Sequence, residues 1–111
     1  MKLYGKNERS NSKLRAVDAF NNGKDFDAIA RELRVQRSTA EVYTIDAFAA
    51  GKHVDHERMA NLMDVTTELF APIWESLQQK DRLSEVKESV RGITYNQIRF
   101  VLACVIRDVE I

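Results

Sequence analysis

The chain has 111 residues, one cysteine, and 17 basic against 17 acidic residues. This length suffices for one domain, and a lone cysteine excludes an internal disulfide. No apolar run is long enough to span a membrane, and the first residues lack the apolar centre of a secretory signal. We therefore expect an intracellular protein with no membrane partner, in the nucleus of a eukaryote or the cytoplasm of a bacterium.

The charge is unevenly distributed although its sum is zero. Residues 1–16 hold five basic residues against one acidic residue, whereas the segment from Val42 onward holds 8 basic and 11 acidic residues. Residues 1–10 also lack apolar periodicity. We expect a flexible basic arm over residues 1–10, which either contacts phosphates or is simply solvated, and a single helical domain over residues 11–111. A neutral net charge is not typical of a strong nucleic-acid binder.

The first helix is expected to begin at Ser10 or Asn11 and to end near Phe20. Leu14 and Val17 supply its apolar stripe. The Asn-Asn-Gly sequence that follows is a stop signal and a turn.

Residues 26–51 have the pattern of two helices joined by a tight turn. Apolar residues recur at helical spacing from Phe26 to Leu33, and Ala30 can be the small residue at a close helix crossing. Arg34 occupies a turn position that often carries glycine. Two short helices around such a turn form a helix-turn-helix motif, and an ordinary helical hairpin is the alternative.

The second helix of this motif is expected to start near Ser38. The Ser38-x-x-Glu41 spacing is that of a capping box, and Gly51 suits the left-handed end of the helix. This helix is apolar nearly all round, leaving a narrow polar stripe of Glu41, Thr44 and Asp46. Because such helices are usually covered by protein, the pattern argues against deep reading of DNA by this helix.

The remaining chain is also expected to be helical. Asp55 suits the N-cap of one helix, and Asp64 that of the next, where Pro72 produces a kink or a new start. Asp81 or Ser84 is expected to cap a short helix. The last helix begins at a T-x-x-Q capping box, with its buried side formed by Tyr95, Ile98, Val101, Leu102, Val105 and Ile106. The fold class is therefore all-α, with about six helices around the helix-turn-helix, winged-helix-like and with at most a minimal strand pair.

The sequence predicts no enzyme and no cofactor. No motif for a nucleophile, a phosphate loop or a dinucleotide fold is present, and the glycines are isolated. His53, Asp55 and His56 lie close together, but an exposed polar helix start explains them better than a metal site. Cys104 and Trp74 are interpreted as packing residues.

The candidate chemistry is DNA binding by the helix-turn-helix. Arg37 is the best candidate, because a guanidinium can pair with guanine or with a phosphate. Polar neighbours at the start of the third helix could reach base edges, and cations on nearby elements could reach the DNA backbone. The candidate residues are Lys13, Lys24, Arg31, Arg34, Gln36, Arg37, Ser38, Thr39, Thr44 and Lys52.

Two stretches of this sequence resemble a known domain. The run from Leu14 to Met59, LRAVDAFNNGKDFDAIARELRVQRSTAEVYTIDAFAAGKHVDHERM, resembles the helix-turn-helix domain at the C-terminal end of RecQ-type DNA helicases, including the Werner helicase. The carrying features are the I-A-x-x-R/L helix, the Ser-Thr start of the third helix, and the G-x-x-V-D-x-E/R run beginning at Gly51. The tail LSEVKESVRGITYNQIRFVLACV resembles the end of that domain, so the similarity covers about residues 12–106.

The resemblance implies an all-α accessory module of DNA-processing proteins without the helicase motor. Arg37-Ser38-Thr39 matches the start of the family's recognition helix. We therefore expect a helicase-associated module that helps a DNA-processing complex engage DNA, with DNA and a protein of that complex as partners. The alternatives are a protein–protein interaction module without DNA contact and a small dimeric transcription regulator, which needs two copies to bury enough surface.

Overall fold

The computed structural model describes the backbone of residues 3–111 and the side chains of residues 11–111. The first helix begins at Leu3, so the predicted start at Ser10 or Asn11 was wrong. The side chains of residues 1–10 lie outside the described part, and the basic arm stays a prediction. Within the described part the chain forms seven helices and no β-strand. The helices are α1 (Leu3–Asn21), α2 (Phe26–Leu33), α3 (Arg37–Ala49), α4 (His56–Leu62), α5 (Thr67–Gln79), α6 (Leu83–Ser89) and α7 (Tyr95–Arg107).

The all-α prediction is therefore confirmed, with seven helices in place of about six. The strand pair of a wing is absent from residues 3–111. Backbone contacts group the chain into two compact units, Met1–Val54 and Asp55–Ile111. The expectation of one domain over residues 11–111 stays a prediction.

The first unit contains α1, α2 and α3, which all contact one another. The rings of Phe20 and Phe26 stack with centroids 5.6 Å apart where α1 gives way to α2. Ile29 of α2 and Ala40 of α3 are also fully buried. Leu14, expected in the apolar stripe of α1, is instead 41% exposed. The buried side of α1 comprises Ala16, Val17, Ala19 and Phe20.

Three helix ends in the first unit were predicted from local residues, and two of these predictions are confirmed. The carboxylate of Asp25 accepts a hydrogen bond from the Ala28 N–H at 2.8 Å and so caps α2. Gly51 adopts φ +109° at the end of α3, as predicted. The capping box at Ser38 was wrong: Gln36 is the N-cap of α3, and its side chain makes no capping bond.

The second unit contains α4 to α7, and α5, α6 and α7 contact one another. Asp55 caps α4, as predicted. Asp64 does not cap α5, because it has a left-handed φ of 58° and follows the end of α4; Thr66 is the cap instead. Pro72 lies inside α5, which is a single helix. The N-cap residue of α6 is Arg82, which makes no side-chain capping bond, so the predicted cap at Asp81 or Ser84 was wrong.

In α7 the predicted capping box is confirmed, whereas the predicted buried side is largely wrong. Both bonds of the capping box are present between Thr94 and Gln97. Of the six residues expected on its buried side, only Ile98 and Val101 are buried. Cys104 is fully buried, as expected, and burial raises the pKa of its thiol to about 12. The exposed members are Tyr95, Leu102, Val105 and Ile106.

Candidate nucleic-acid interface

The turn between α2 and α3 consists of Arg34, Val35 and Gln36. Arg34 has left-handed dihedrals (φ 59°, ψ 47°), and its N–H donates to the carbonyl of Arg31 at 3.3 Å. The N–H of Val35 donates to the carbonyl of Ala30 at 3.0 Å. These two bonds form a Schellman motif, with arginine where glycine is usual. Gln36 is extended and α3 starts at the next residue. The three-residue turn completes the helix-turn-helix motif.

The surface of α3 is exposed mainly in its first turn. Arg37 and Ser38 are exposed, whereas Ile45, Ala47 and Phe48 are buried. The contacts of α1 and α2 with α3 account for this coverage within the unit. The apolar surface that argued against deep reading of DNA is therefore largely core, and the polar start of the helix is what solvent reaches.

Arg37 is held by two carboxylates. Its Nε donates to Glu41 Oε2 at 3.0 Å, and its Nη1 lies 3.5 Å from Asp27 Oδ2. The guanidinium carbon also lies 5.9 Å from the ring centroid of Phe26. The hydrogen bond to Glu41 is the main cause that raises the pKa of Arg37. Because its side chain remains 46% exposed, Arg37 is positioned by its partners without being buried by them.

Two of the candidate lysines are also paired with acids. Lys13 Nζ lies 3.1 Å from Asp46 Oδ2. Lys24 pairs with Glu32, and this hydrogen bond lowers the pKa of the Glu32 carboxyl. Lys52 is exposed just beyond the end of α3. Such exposed pairs contribute little to stability, so a phosphate can replace the acidic partner at small cost.

The two arginines at the end of α2 differ from these lysines. Arg31 and Arg34 are exposed, and neither forms an ion pair with an acidic side chain in the described part of the chain. Sequence reasoning missed a third such residue, Arg15. It is exposed on α1 and close enough to Glu32 to lower the pKa of that carboxyl further. The signal in the sequence was its place on the first helix, directly before the apolar residues Ala16 and Val17.

The polar candidates divide into exposed and buried residues. Gln36 and Ser38 are exposed and Thr39 is half-buried, all at the start of α3. Thr44 is fully buried, and its hydroxyl donates to the Ala40 carbonyl at 3.0 Å. Thr44 is therefore not part of the exposed surface, because one further turn along α3 brings the chain into the core.

Gln36, the N-cap residue of α3, makes no side-chain capping bond, and the first turn of the helix holds no acidic residue. The first backbone N–H groups of a helix point outward, and the helix dipole favours an anion there. Arg37 and Ser38 stand at this end. The arrangement suits a phosphate oxygen approaching along the axis of α3.

The predicted histidine cluster is divided between the units: His53 belongs to the first, where its carbonyl accepts from the Asn21 amide at 2.9 Å, and Asp55 and His56 belong to the second. The Asp55 carboxylate accepts from the Arg58 N–H at 3.1 Å, and His56 Nε2 lies 3.0 Å from the Glu110 carbonyl oxygen. No group of three or more potential metal ligands gathers among the residues that the structure describes. None of the helices in that same part has the length and apolar character needed to cross a bilayer.

A three-helix unit whose second and third helices enclose a three-residue turn defines a helix-turn-helix protein, the class that typically binds nucleic acid. The sequence agrees with this class: the model of the family described as "Helix-turn-helix domain" matches residues 12–102. This chain therefore belongs to the helix-turn-helix domain family. No curated protein and no solved structure gave a significant match to the sequence.

Proposed function

We propose that this protein is a helicase-associated helix-turn-helix module, intracellular and without enzymatic activity of its own, that helps a DNA-processing complex engage DNA. The observation that carries the proposal is the exposed Gln36-Arg37-Ser38 start of α3, preceded by Arg31 and Arg34, which form no ion pair with an acidic side chain in the described part of the chain. The resemblance to the RecQ-type domain over about residues 12–106 supports the helicase association, and the helix-turn-helix family match over residues 12–102 supports nucleic-acid binding in general.

The contact has two parts. The start of α3 and the end of α2 lie on either side of the turn, so their cations can meet one DNA backbone. Arg31 and Arg34 supply charge for phosphates without first giving up a partner, whereas Arg37 must leave Glu41 and Asp27. We therefore expect modest affinity, dominated by phosphate contacts, with little base reading.

A fluorescence-anisotropy titration tests this proposal. Labelled duplex, forked and single-stranded DNA are titrated at low and physiological salt. Binding is expected to weaken steeply with salt, because each phosphate contact releases counterions. Arg31→Ala/Arg34→Ala should weaken binding and lower the slope of log K against log salt by about 2, one for each lost contact. Arg82→Ala, an exposed arginine of the second unit, is the matched control and should change neither quantity.

The ion pairs of Arg37 give a sharper arm of the same experiment. Arg37→Ala should weaken binding, whereas Glu41→Gln should strengthen it by a few-fold, because the arginine is then released and one acid is removed from the surface. Absence of DNA binding at low salt would contradict the proposal. Binding that is indifferent to all of these changes would place the contact elsewhere on the chain.

A further inference from the structure

The exposed face of α7 is almost entirely apolar. It contains Tyr95, Leu102, Val105 and Ile106, which are 40, 37, 36 and 60% exposed. These four residues and the half-buried Arg99 line one side of the helix, at spacings of three, four and seven residues. The helix carries no acidic residue, and its other side is core.

A helix on a protein surface normally turns a polar stripe to water. A helix that is apolar on both sides is normally covered by protein on both sides. In α7 the inner side already packs against α5 and α6. The outer side is therefore a docking surface, which we call the α7 face: Tyr95, Arg99, Leu102, Val105 and Ile106.

The N-terminal end of the α7 face is basic. The ammonium of Lys87 lies 5.6 Å, and the guanidinium carbon of Arg99 5.8 Å, from the ring centroid of Tyr95. Arg91 is exposed in the turn just before the helix. None of these three cations forms an ion pair with an acidic side chain in the described part of the chain.

The C-terminal end of the same helix is acidic. Asp108 and Glu110 follow it and are exposed, and Glu57 and Glu68 line a cavity that also contains Ile111. Arg107 is the one basic residue in the last turn. Charges of these signs reinforce the helix dipole, whereas helix termini are normally stabilised by charges that oppose it. A partner with acidic groups at the N-terminal end of α7 and basic groups at its C-terminal end is therefore favoured.

We propose that the α7 face is the interface of a homodimer in which the α7 helices of two copies pack antiparallel. A twofold axis near Leu102 places the apolar centres of the two α7 faces against each other. It also brings the basic end of each copy beside the acidic end of the other. The second copy thus covers the apolar residues and places acidic side chains near Lys87 and Arg91 and basic side chains near Glu110. The dimer goes beyond the DNA-binding proposal and does not depend on it.

The interface is small. A 13-residue helix is about 20 Å long and buries less than the roughly 800 Å² per partner of a standard interface. We therefore expect a dimer that forms at micromolar or higher concentration.

Sedimentation velocity of the full chain without DNA, from about 10 to 500 µM, tests the interface. The expected result is a concentration-dependent rise from 12.8 kDa towards twice that mass. Leu102→Glu should weaken the dimer by at least about tenfold, because it puts a charge at the centre. Leu14→Glu is the matched control: Leu14 is a similarly exposed leucine on α1, and its change should leave the dimer intact. Circular dichroism confirms that both variants remain helical.

A charge exchange tests the antiparallel arrangement. Arg91→Glu and Glu110→Arg should each weaken the dimer, and the two changes together should restore it, because each copy then offers the exchanged partner. A chain that stays monomeric at the highest concentration overturns the proposal. A dimer unaffected by Leu102→Glu also overturns it. A dimer that Leu102→Glu breaks but the charge exchange does not restore overturns the antiparallel pairing.

Discussion

At Arg34, the proposed DNA contact and the stability of the fold compete. It holds φ at 59°, a conformation that costs a residue with a side chain roughly 1–2 kcal/mol relative to glycine. Glycine would end α2 equally well, since both Schellman bonds come from the backbone. An exposed arginine at this point instead adds a positive charge beside the start of α3.

The Arg34→Gly variant should therefore be more stable and bind DNA less well. We expect a gain of about 1 kcal/mol, or roughly 4 °C in Tm for a chain of this length, measured by thermal and urea unfolding. Arg34→Ala, which keeps the unfavourable backbone angle, should show the weaker binding without the added stability. Equal stability of the glycine and alanine variants would show that the left-handed angle carries no cost.

Two ion pairs and one buried threonine show what the sequence could and could not predict about the candidate site. The Arg37–Glu41 pair follows from its spacing of four residues along one helix. The Arg37–Asp27 pair joins residues ten apart and depends on how α2 and α3 cross, which no local pattern specifies. Thr44 looked accessible because it belongs to a polar stripe, and only the packing of α3 in its unit shows that it is buried.

At the scale of helices, local signals predicted caps well when nothing competed with them. Asp25, Asp55 and the Thr94–Gln97 pair cap their helices because the relevant atoms lie within four residues. Ser38 failed because the Schellman turn after α2 returns the chain to the extended conformation at Gln36, so α3 starts earlier. The carboxylate of Glu41 accepts a hydrogen bond from Arg37, the first residue of α3.

The apolar pattern of α7 was ambiguous for a related reason. Periodicity identifies an amphipathic face only when the opposite face is polar. In α7 both sides are apolar, so the sequence pattern assigns Leu102 and Ile106 to the core as readily as Phe100 and Cys104. Which side is buried depends on the tertiary packing of α5 and α6 against α7, which the local sequence does not specify.

Side-chain hydrogen bonds of Thr94 and Gln97 hold the N-terminus of α7. Thr94 accepts from the Gln97 N–H at 3.1 Å, and the Gln97 amide also donates to the Met63 carbonyl at 2.8 Å. Thr94→Ala should lower the free energy of unfolding by about 1 kcal/mol. Gln97→Ala should cost more, because it removes both the cap and the bond to the end of α4. Thr67→Ala, at an exposed threonine, should stay within about 0.5 kcal/mol of the parent in urea unfolding. Equal losses for the two cap variants would show that the bond to Met63 adds nothing.

For the whole molecule, the charge is zero in sum but divided between the units. Residues 1–54 hold 10 basic and 7 acidic residues, a net charge of +3, and residues 55–111 hold 7 and 10, a net charge of −3. The neutral total argued against nucleic-acid binding. The division removes much of that objection, since the positive unit is the one that carries the helix-turn-helix, and at physiological salt a phosphate responds mainly to charges within about 8 Å.

An NMR titration of the ¹⁵N-labelled chain with a short duplex at low salt shows residue by residue whether the start of α3 contacts DNA. We expect the amide signals of Arg31, Arg34, Gln36, Arg37 and Ser38 to shift first and furthest, and these shifts to diminish as salt is added. Shifts confined to residues 55–111, or spectra that DNA leaves unchanged at low salt, would overturn the proposed contact.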